Sequence, residues 1–122
     1  MLTVADVERS CQFYANVLGC EIVRFKTTSG EERTALRIGD RQKINLHPVA
    51  SPFQPAAQRP TPGSADLCFI TSTPLEVVVD HLQQLQVPII EGPVERMGTL
   101  GPILSVYIRD PDGNLVEVAN SQ

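Results

Sequence analysis

One carboxylate stands out in this chain because it interrupts an apolar segment. Glu117 lies among Leu115, Val116 and Val118, directly after the Asp-Pro-Asp-Gly-Asn run at 110–114. That run is rich in turn formers, so the sequence predicts a strand, a tight turn and a second strand. Burial of a lone carboxylate is costly, so Glu117 either faces solvent or has a partner. With a partner, it could act as a base that takes a proton next to a carbonyl group.

Three potential metal ligands share one phase of strand alternation. In three predicted strands, apolar residues alternate with polar ones, and the polar phase would lie opposite any covering helices. These three residues are His47, Asp66 and Glu117. One imidazole and two carboxylates favour Mg²⁺, Mn²⁺, Ni²⁺ or Fe²⁺ over a cysteine-type Zn²⁺ site. A merely solvated polar face is the competing interpretation, since exposed strand positions are usually polar.

Other polar residues are candidates for substrate contacts or for structural roles. Arg96 and Tyr107 could hold an anionic or phenolic substrate, and Asn45 shares the phase of His47. Arg109 is expected to pair with an aspartate near the turn. His81 is expected to be solvated on the polar face of a helix.

The first half of the chain predicts the order β-α-β-β-β. Asp6 is a suitable helix N-cap, apolar residues then recur at helical spacing, and Gly19 is the expected C-cap. The predicted strands are 1–4, 20–27, 33–38 and 43–47. Prolines interrupt 49–64, which predicts an extended linker.

The second half repeats this order. Thr73 to Glu76 reads as a capping box with Pro74 at the first helical position, and the amphipathic helix should stop before Pro88. A flexible loop is expected at 98–101. The predicted strands are 66–70, 88–95, 103–109 and 115–119. The domain expectation is a single domain, 1–122, with modules 1–48 and 65–122 joined by the linker 49–64.

Composition restricts the classes of partner. The 122 residues carry a net charge of −4 and an isoelectric point near 5.0, which argues against nucleic acid or an anionic membrane. No apolar run approaches the roughly 20 residues that span a bilayer. Cys11, Cys20 and Cys68 contain no metal-binding or redox spacing and are expected to be reduced core residues of a cytoplasmic protein.

Several motifs resemble those of one superfamily. The terminal hairpin at 107–118, and Phe13-Tyr14 followed by Leu18-Gly19, resemble the vicinal oxygen chelate superfamily of glyoxalases, bleomycin resistance proteins and extradiol dioxygenases. The segments 60–66 and 91–96 resemble glyoxalase domain-containing protein 5 and bacterial relatives called virulence proteins. The resemblance implies an α+β fold in which two βαβββ modules form a cupped mixed sheet with helices on its convex side.

The resemblance also implies a site and a function. Glu117 matches the last-strand metal ligand, Asp66 stands where histidine is usual, and either His47 or Asn45 matches the ligand late in the first half. A further ligand would lie just upstream of Met1. The implied function is that of a lyase, isomerase or dioxygenase dependent on a divalent metal (Mn, Ni, Fe, Mg or Zn) and acting on a small oxygenated substrate. The alternative is metal-free sequestration of a small molecule. A homodimer is expected in either case.

Overall fold

The computed structural model describes residues 1–51 and 53–122 and confirms the predicted α+β order, βαβββ twice. The first set of elements is β1 (Leu2–Val4), α1 (Val7–Leu18), β2 (Glu21–Lys26), β3 (Glu32–Ile38) and β4 (Gln42–Pro48). The second set is β5 (Asp66–Ile70), α2 (Leu75–Gln84), β6 (Glu91–Gly98), β7 (Gly101–Arg109) and β8 (Leu115–Ser121). Neither helix in the described ranges has the length and apolar character to cross a membrane.

The chain divides into two compact units. Unit 1 contains Met1–Ala65 and Pro111–Gly113, so the described part of the predicted linker belongs to it. Its sheet has the order β1-β4-β3-β2, with β1 parallel to β4 and the other neighbours antiparallel. Helix α1 packs on β2, β3 and β4. The large side chains buried in this unit include Val4, Cys11, Tyr14, Leu36 and Leu46.

Unit 2 contains Asp66–Asp110 and Asn114–Gln122 and repeats the topology of unit 1. Its sheet has the order β5-β8-β7-β6, again with one parallel pair, β5 with β8. Helix α2 packs on β7. The buried apolar side chains include Leu75, Leu82, Val106, Ile108 and Val116. The apolar phase of β8 therefore contributes to the core, as its alternation predicted.

The two helix starts differ from one another. At α1 the predicted cap is confirmed, because the Asp6 carboxylate accepts a hydrogen bond of 3.1 Å from the Arg9 amide. At α2 the predicted capping box is wrong. Pro74 occupies the cap position and has no side-chain cap bond; the Leu75 amide instead donates to the Asn120 side chain of β8 at 2.7 Å.

The hairpin between β6 and β7 also departs from the sequence prediction. The predicted strand 88–95 begins only at Glu91, since Pro88 has no amide hydrogen to donate to a ladder. The strand continues to Gly98, which pairs with Gly101. The expected flexible loop 98–101 is therefore a tight turn, and Gly101 provides its positive φ of 132°.

Candidate functional site

Strand register places three polar side chains on one face of the unit 2 sheet. Cys68 of β5 is directly opposite Glu117 of β8, and Tyr107 of β7 is opposite Glu117 on the other side. Asp66 precedes Cys68 by two residues and so shares its face. Asp66 and Cys68 are exposed, whereas Glu117 is half-buried. The predicted strand phase of Asp66 and Glu117 therefore holds within unit 2.

Glu117 is held by a buried hydroxyl group. The Ser105 Oγ donates to Glu117 Oε2 at 2.6 Å, and Ser105 itself is fully buried. This charge-assisted hydrogen bond is short, and it fixes the orientation of one carboxylate oxygen. The Glu117 carboxylate also interacts with the Cys68 and Tyr107 side chains through hydrogen bonds.

Two neighbours of Glu117 stay protonated at neutral pH. Although Cys68 as a residue is exposed, partial burial of its sulfur raises the pKa of the thiol, and the charge of Glu117 raises it further. Burial likewise raises the pKa of the Tyr107 phenol; the Glu117 carboxylate adds to the rise, while Arg96 opposes it. Both groups donate hydrogen bonds to the Glu117 carboxylate and could donate instead to a ligand oxygen, and Cys68 is a poor nucleophile.

Arg96 supplies the positive charge on this face. Its guanidinium carbon lies 5.6 Å from the centre of the Tyr107 ring, and its Nη2 is 2.9 Å from a carboxylate oxygen of Glu91. Both partners of that ion pair are partly exposed, so the pair is weak and can exchange for a ligand oxygen.

Unit 2 contains a cavity of about 760 Å³ that is lined by Cys68, Arg96, Tyr107 and Glu117 among others. The volume lies in the range of sites that hold small molecules. Its polar residues are Cys68, Arg96, Tyr107, Glu117, Thr99, Ser121 and Gln122. The cavity thus combines a carboxylate base with one cationic donor and several neutral donors.

Unit 1 carries a more covered set of polar residues. Asn45 and His47 lie on the face of β4 opposite the buried Leu46, and His47 is only 7% exposed. The Phe53 ring packs against the imidazole at 5.3 Å between centres, and the Arg33 guanidinium stacks on the same ring at 3.4 Å. The predicted phase of His47 is correct, but the side chain is buried under Phe53 rather than open.

Strand β4 of unit 1 carries two buried atoms without a hydrogen-bond partner among the described residues. These atoms are Asn45 Oδ1 and His47 Nδ1. Burial lowers the pKa of His47, and the positive charges of the amino terminus and Arg33 lower it further. The imidazole is therefore neutral near pH 7, the form that binds metals.

The donor types suit a divalent ion, but their grouping within the described residues does not complete a site. In the ranges 1–51 and 53–122, no three His, Cys, Asp or Glu side chains are grouped so that they could hold a metal ion. Convergence of His47, Asp66 and Glu117 on one ion stays a prediction. The acid–base chemistry of Glu117 does not depend on that convergence.

Sequence reasoning missed three residues and misjudged one role. Cys68 was expected in the core but is exposed beside Glu117, because it occupies the polar phase of β5. Ser105 could have been noticed as a polar residue in the phase of Tyr107 within an apolar strand. Glu91 pairs with Arg96, which no local pattern indicates. Phe53 was a lone aromatic residue in a proline-rich segment, and nothing local showed that it covers His47.

Comparison with known proteins gives consistent results over nearly the whole chain. The sequence model of the Glyoxalase/Bleomycin resistance protein/Dioxygenase superfamily matches residues 1–118. Virulence protein STM3117 of Salmonella typhimurium is 55% identical over 119 residues, which are 98% of this chain and 79% of that protein. Its crystal structure has a TM-score of 0.91 at 52% identity, covering 99% of this chain and 92% of that one.

Two further similarities are more distant. The glyoxalase domain-containing protein RDO1 of Mycosarcoma maydis is 43% identical over 122 residues, which are all of this chain and 66% of that protein. The lactoylglutathione lyase of Agrobacterium tumefaciens has a TM-score of 0.71 at 27% identity, covering 98% of this chain and 89% of that one. The family match and the two repeated βαβββ units agree, and the chain belongs to the Glyoxalase/Bleomycin resistance protein/Dioxygenase superfamily.

Proposed function

We propose that this chain binds a small oxygenated molecule in the unit 2 cavity and acts on it as a lyase, isomerase or dioxygenase-type enzyme that uses a divalent metal. The observation that carries the proposal is the placement of Glu117. Its carboxylate lines the cavity, is oriented by the Ser105 hydroxyl and is flanked by the Tyr107 and Cys68 donors. That arrangement suits removal of a proton next to a substrate carbonyl.

Three residues of the unit 2 cavity have separate parts in this proposal. Arg96 and Tyr107 donate to the substrate carbonyl oxygen and so favour the negative charge that develops there when the neighbouring carbon loses a proton. Glu117 holds that proton. A divalent metal, when bound, would supply further charge stabilisation at substrate oxygens. Glu117 and Asp66, which share one face of the unit 2 sheet, would hold it.

A second function is metal-free sequestration of a small molecule. It is favoured by the lack, within the described ranges, of three grouped metal-binding side chains, and by the retention of a cavity of ligand size. In that case Glu117 is an acceptor for a ligand hydroxyl rather than a base. The two functions differ in metal affinity and in proton exchange.

Calorimetric titration with Mn²⁺ or Ni²⁺ separates the two functions. If His47, Asp66 and Glu117 bind one ion, then H47A, D66N and E117Q each weaken binding, with E117Q losing at least about tenfold because it removes a charged ligand. N45A should weaken binding less than E117Q, since it removes a neutral donor. The matched control is E95Q, the same change at an exposed glutamate that does not line the cavity.

Proton exchange tests the catalytic part. In D₂O the protein should exchange the hydrogen next to the carbonyl of small 2-hydroxy-carbonyl compounds for deuterium. Loss of that proton signal in nuclear magnetic resonance spectra measures the exchange. E117Q should abolish this exchange, whereas E95Q should retain it. Tight ligand binding without exchange or metal affinity would reject the enzyme and leave sequestration.

We also propose a homodimer. Each sheet has two edge strands, β1 and β2 in unit 1 and β5 and β6 in unit 2. Natural proteins usually cover such edges, and pairing between copies is one way to do so. Light scattering at micromolar concentration should report twice the mass of 13.3 kDa, and a monomer would contradict this part of the proposal.

A further inference from the structure

The unit 2 cavity collects the most exposed apolar side chains of the described structure. Among the large apolar residues in 1–51 and 53–122, the three highest exposures belong to Leu100 (100%), Met97 (78%) and Ile70 (59%). All three line the cavity that also holds Glu117. Scattered exposed apolar residues are normal on a protein surface, but a group of them in one concavity marks a binding site.

Glu117 and the Thr99-Leu100 turn lie at opposite ends of the cavity. Tyr107 is opposite Glu117 and Glu91, near one end of β7. The turn closes the other end, directly before Gly101 and Pro102. The five residue steps from Pro102 to Tyr107 correspond to about 17 Å of strand. Thr99, Ser121 and Gln122 add neutral polar groups at the turn end, so a ligand that contacts both ends is elongated, with its charged or carbonyl oxygens at the Arg96 guanidinium near Tyr107.

Leu100 and Ile70 are exposed apolar side chains that a ligand in the cavity would cover. Neither side chain contributes to the core, so folding does not require their apolar character. An apolar chain placed against them would remove that surface from water together with its own. The cavity volume of about 760 Å³ suits a small molecule, and the polar group at its other end lets one molecule contact both regions.

We propose that the ligand of this cavity is amphipathic, with an oxygenated head at Arg96, Tyr107 and Glu117 and an aliphatic chain of several carbons extending to Ile70 and Leu100. This inference rests on the proposed function and names the ligand class for the same site. It requires no particular reaction, because sequestration of such a molecule would use the same contacts.

A homologous series of ligands tests the inference. The probes are 2-hydroxybutanoate, 2-hydroxyhexanoate and 2-hydroxyoctanoate, titrated by calorimetry in metal-free buffer. Each buried methylene contributes about fourfold in affinity, so the affinity should rise by roughly 200-fold from four to eight carbons when all four added methylenes are buried. The double variant I70T/L100S should remove most of this rise.

The control variant is V77T. Val77 is 51% exposed on α2 and does not line the cavity, so this variant should keep the full dependence on chain length. Thermal unfolding confirms that both variants fold. These exposed substitutions should change the unfolding free energy little. Loss of the dependence of affinity on chain length therefore reports on the cavity and not on unfolding.

The possible failures are distinguishable. Equal affinity for all three acids would overturn the amphipathic ligand and leave the proposed function standing. Absence of binding by every acid, in metal-free buffer and again with Mn²⁺, would overturn the amphipathic ligand, while the exchange experiment in D₂O tests the proposed function separately. If light scattering shows a dimer that I70T/L100S converts to a monomer, a second copy covers these side chains and the inference is wrong.

Discussion

Units 1 and 2 have the same topology but begin their helices in different ways. In unit 1 the cap of α1 is local, from Asp6 to Arg9, and Gly19 ends the helix with a left-handed φ of 69°. In unit 2 the cap of α2 comes from Asn120, which is 45 residues away in sequence. Asn120 also donates to the carbonyl oxygens of Thr71 at 2.9 Å and Thr73 at 2.7 Å. The same helix-on-sheet arrangement is thus reached by a local signal in one unit and a tertiary one in the other.

The polar faces of the two sheets also differ, because the face of unit 1 is covered and that of unit 2 is open. In unit 1, Phe53 packs on His47 and carries the Arg33 guanidinium on its ring, so the imidazole is covered. In unit 2, Glu117 lines a cavity beside an exposed thiol. A repeated backbone topology therefore leaves function to the few side chains that close or open each face.

The largest expected effect is loss of the tertiary cap. N120A removes three hydrogen bonds and leaves the Leu75 amide at the start of α2 without its partner, so the free energy of unfolding should fall by about 2–4 kcal/mol. Urea denaturation measures it. N120D keeps the acceptor for Leu75 but turns a carboxylate oxygen toward the carbonyl oxygens of Thr71 and Thr73, so it should be at least as destabilising as N120A. A loss below about 1 kcal/mol would show that the tertiary cap is not needed.

Removal of the local cap should have a smaller effect. D6A takes away one exposed hydrogen bond, to the Arg9 amide, and should reduce the free energy of unfolding by about 1 kcal/mol. D6N is the matched control and should be nearly neutral, because asparagine is an equally good cap. If D6A proved as destabilising as N120A in the same urea experiment, the contrast between the two helices would not hold.

The covered imidazole of unit 1 predicts a dependence on pH. The pKa of His47 is lowered in the folded chain, by burial first and then by the positive charges of the amino terminus and Arg33. Because the unfolded chain binds this proton more readily, the contribution of His47 is complete above the ordinary pKa near 6.5 and decreases as the pH falls below it. H47Q should therefore lose less stability than the wild type between pH 7 and pH 5.

That comparison is made by urea denaturation in the presence of a chelator. The control is Q83A, a change at an exposed residue of α2 that carries no titratable group, and it should keep the wild-type slope. Equal slopes for H47Q and the wild type would contradict the role of the buried imidazole.

The smallest expected effect is at the predicted capping box. T73A would reduce the free energy of unfolding by about 1 kcal/mol if Thr73 capped α2. The structure shows no side-chain cap at this helix start, so the change should stay within about 0.5 kcal/mol. A loss as large as that of D6A would restore the local cap as the correct account.

Local patterns in the sequence were sufficient for the element order, for both ends of α1 and for the strand phase of Glu117. Strand alternation, Asp6 and Gly19 act within a few residues, so their effect can be read directly. The family resemblance followed from motifs of the same short range, and the match over residues 1–118 confirms it.

The tertiary structure decided the features that depend on distant residues. Asn120 caps α2, Ser105 orients Glu117, and Phe53 covers His47, and in each case the partners are remote in sequence or on different elements. Alternation predicts which face a strand side chain occupies, but it does not predict what covers that face. Burial, pKa and the presence of a cavity depend on that cover, and only the packed chain determines it.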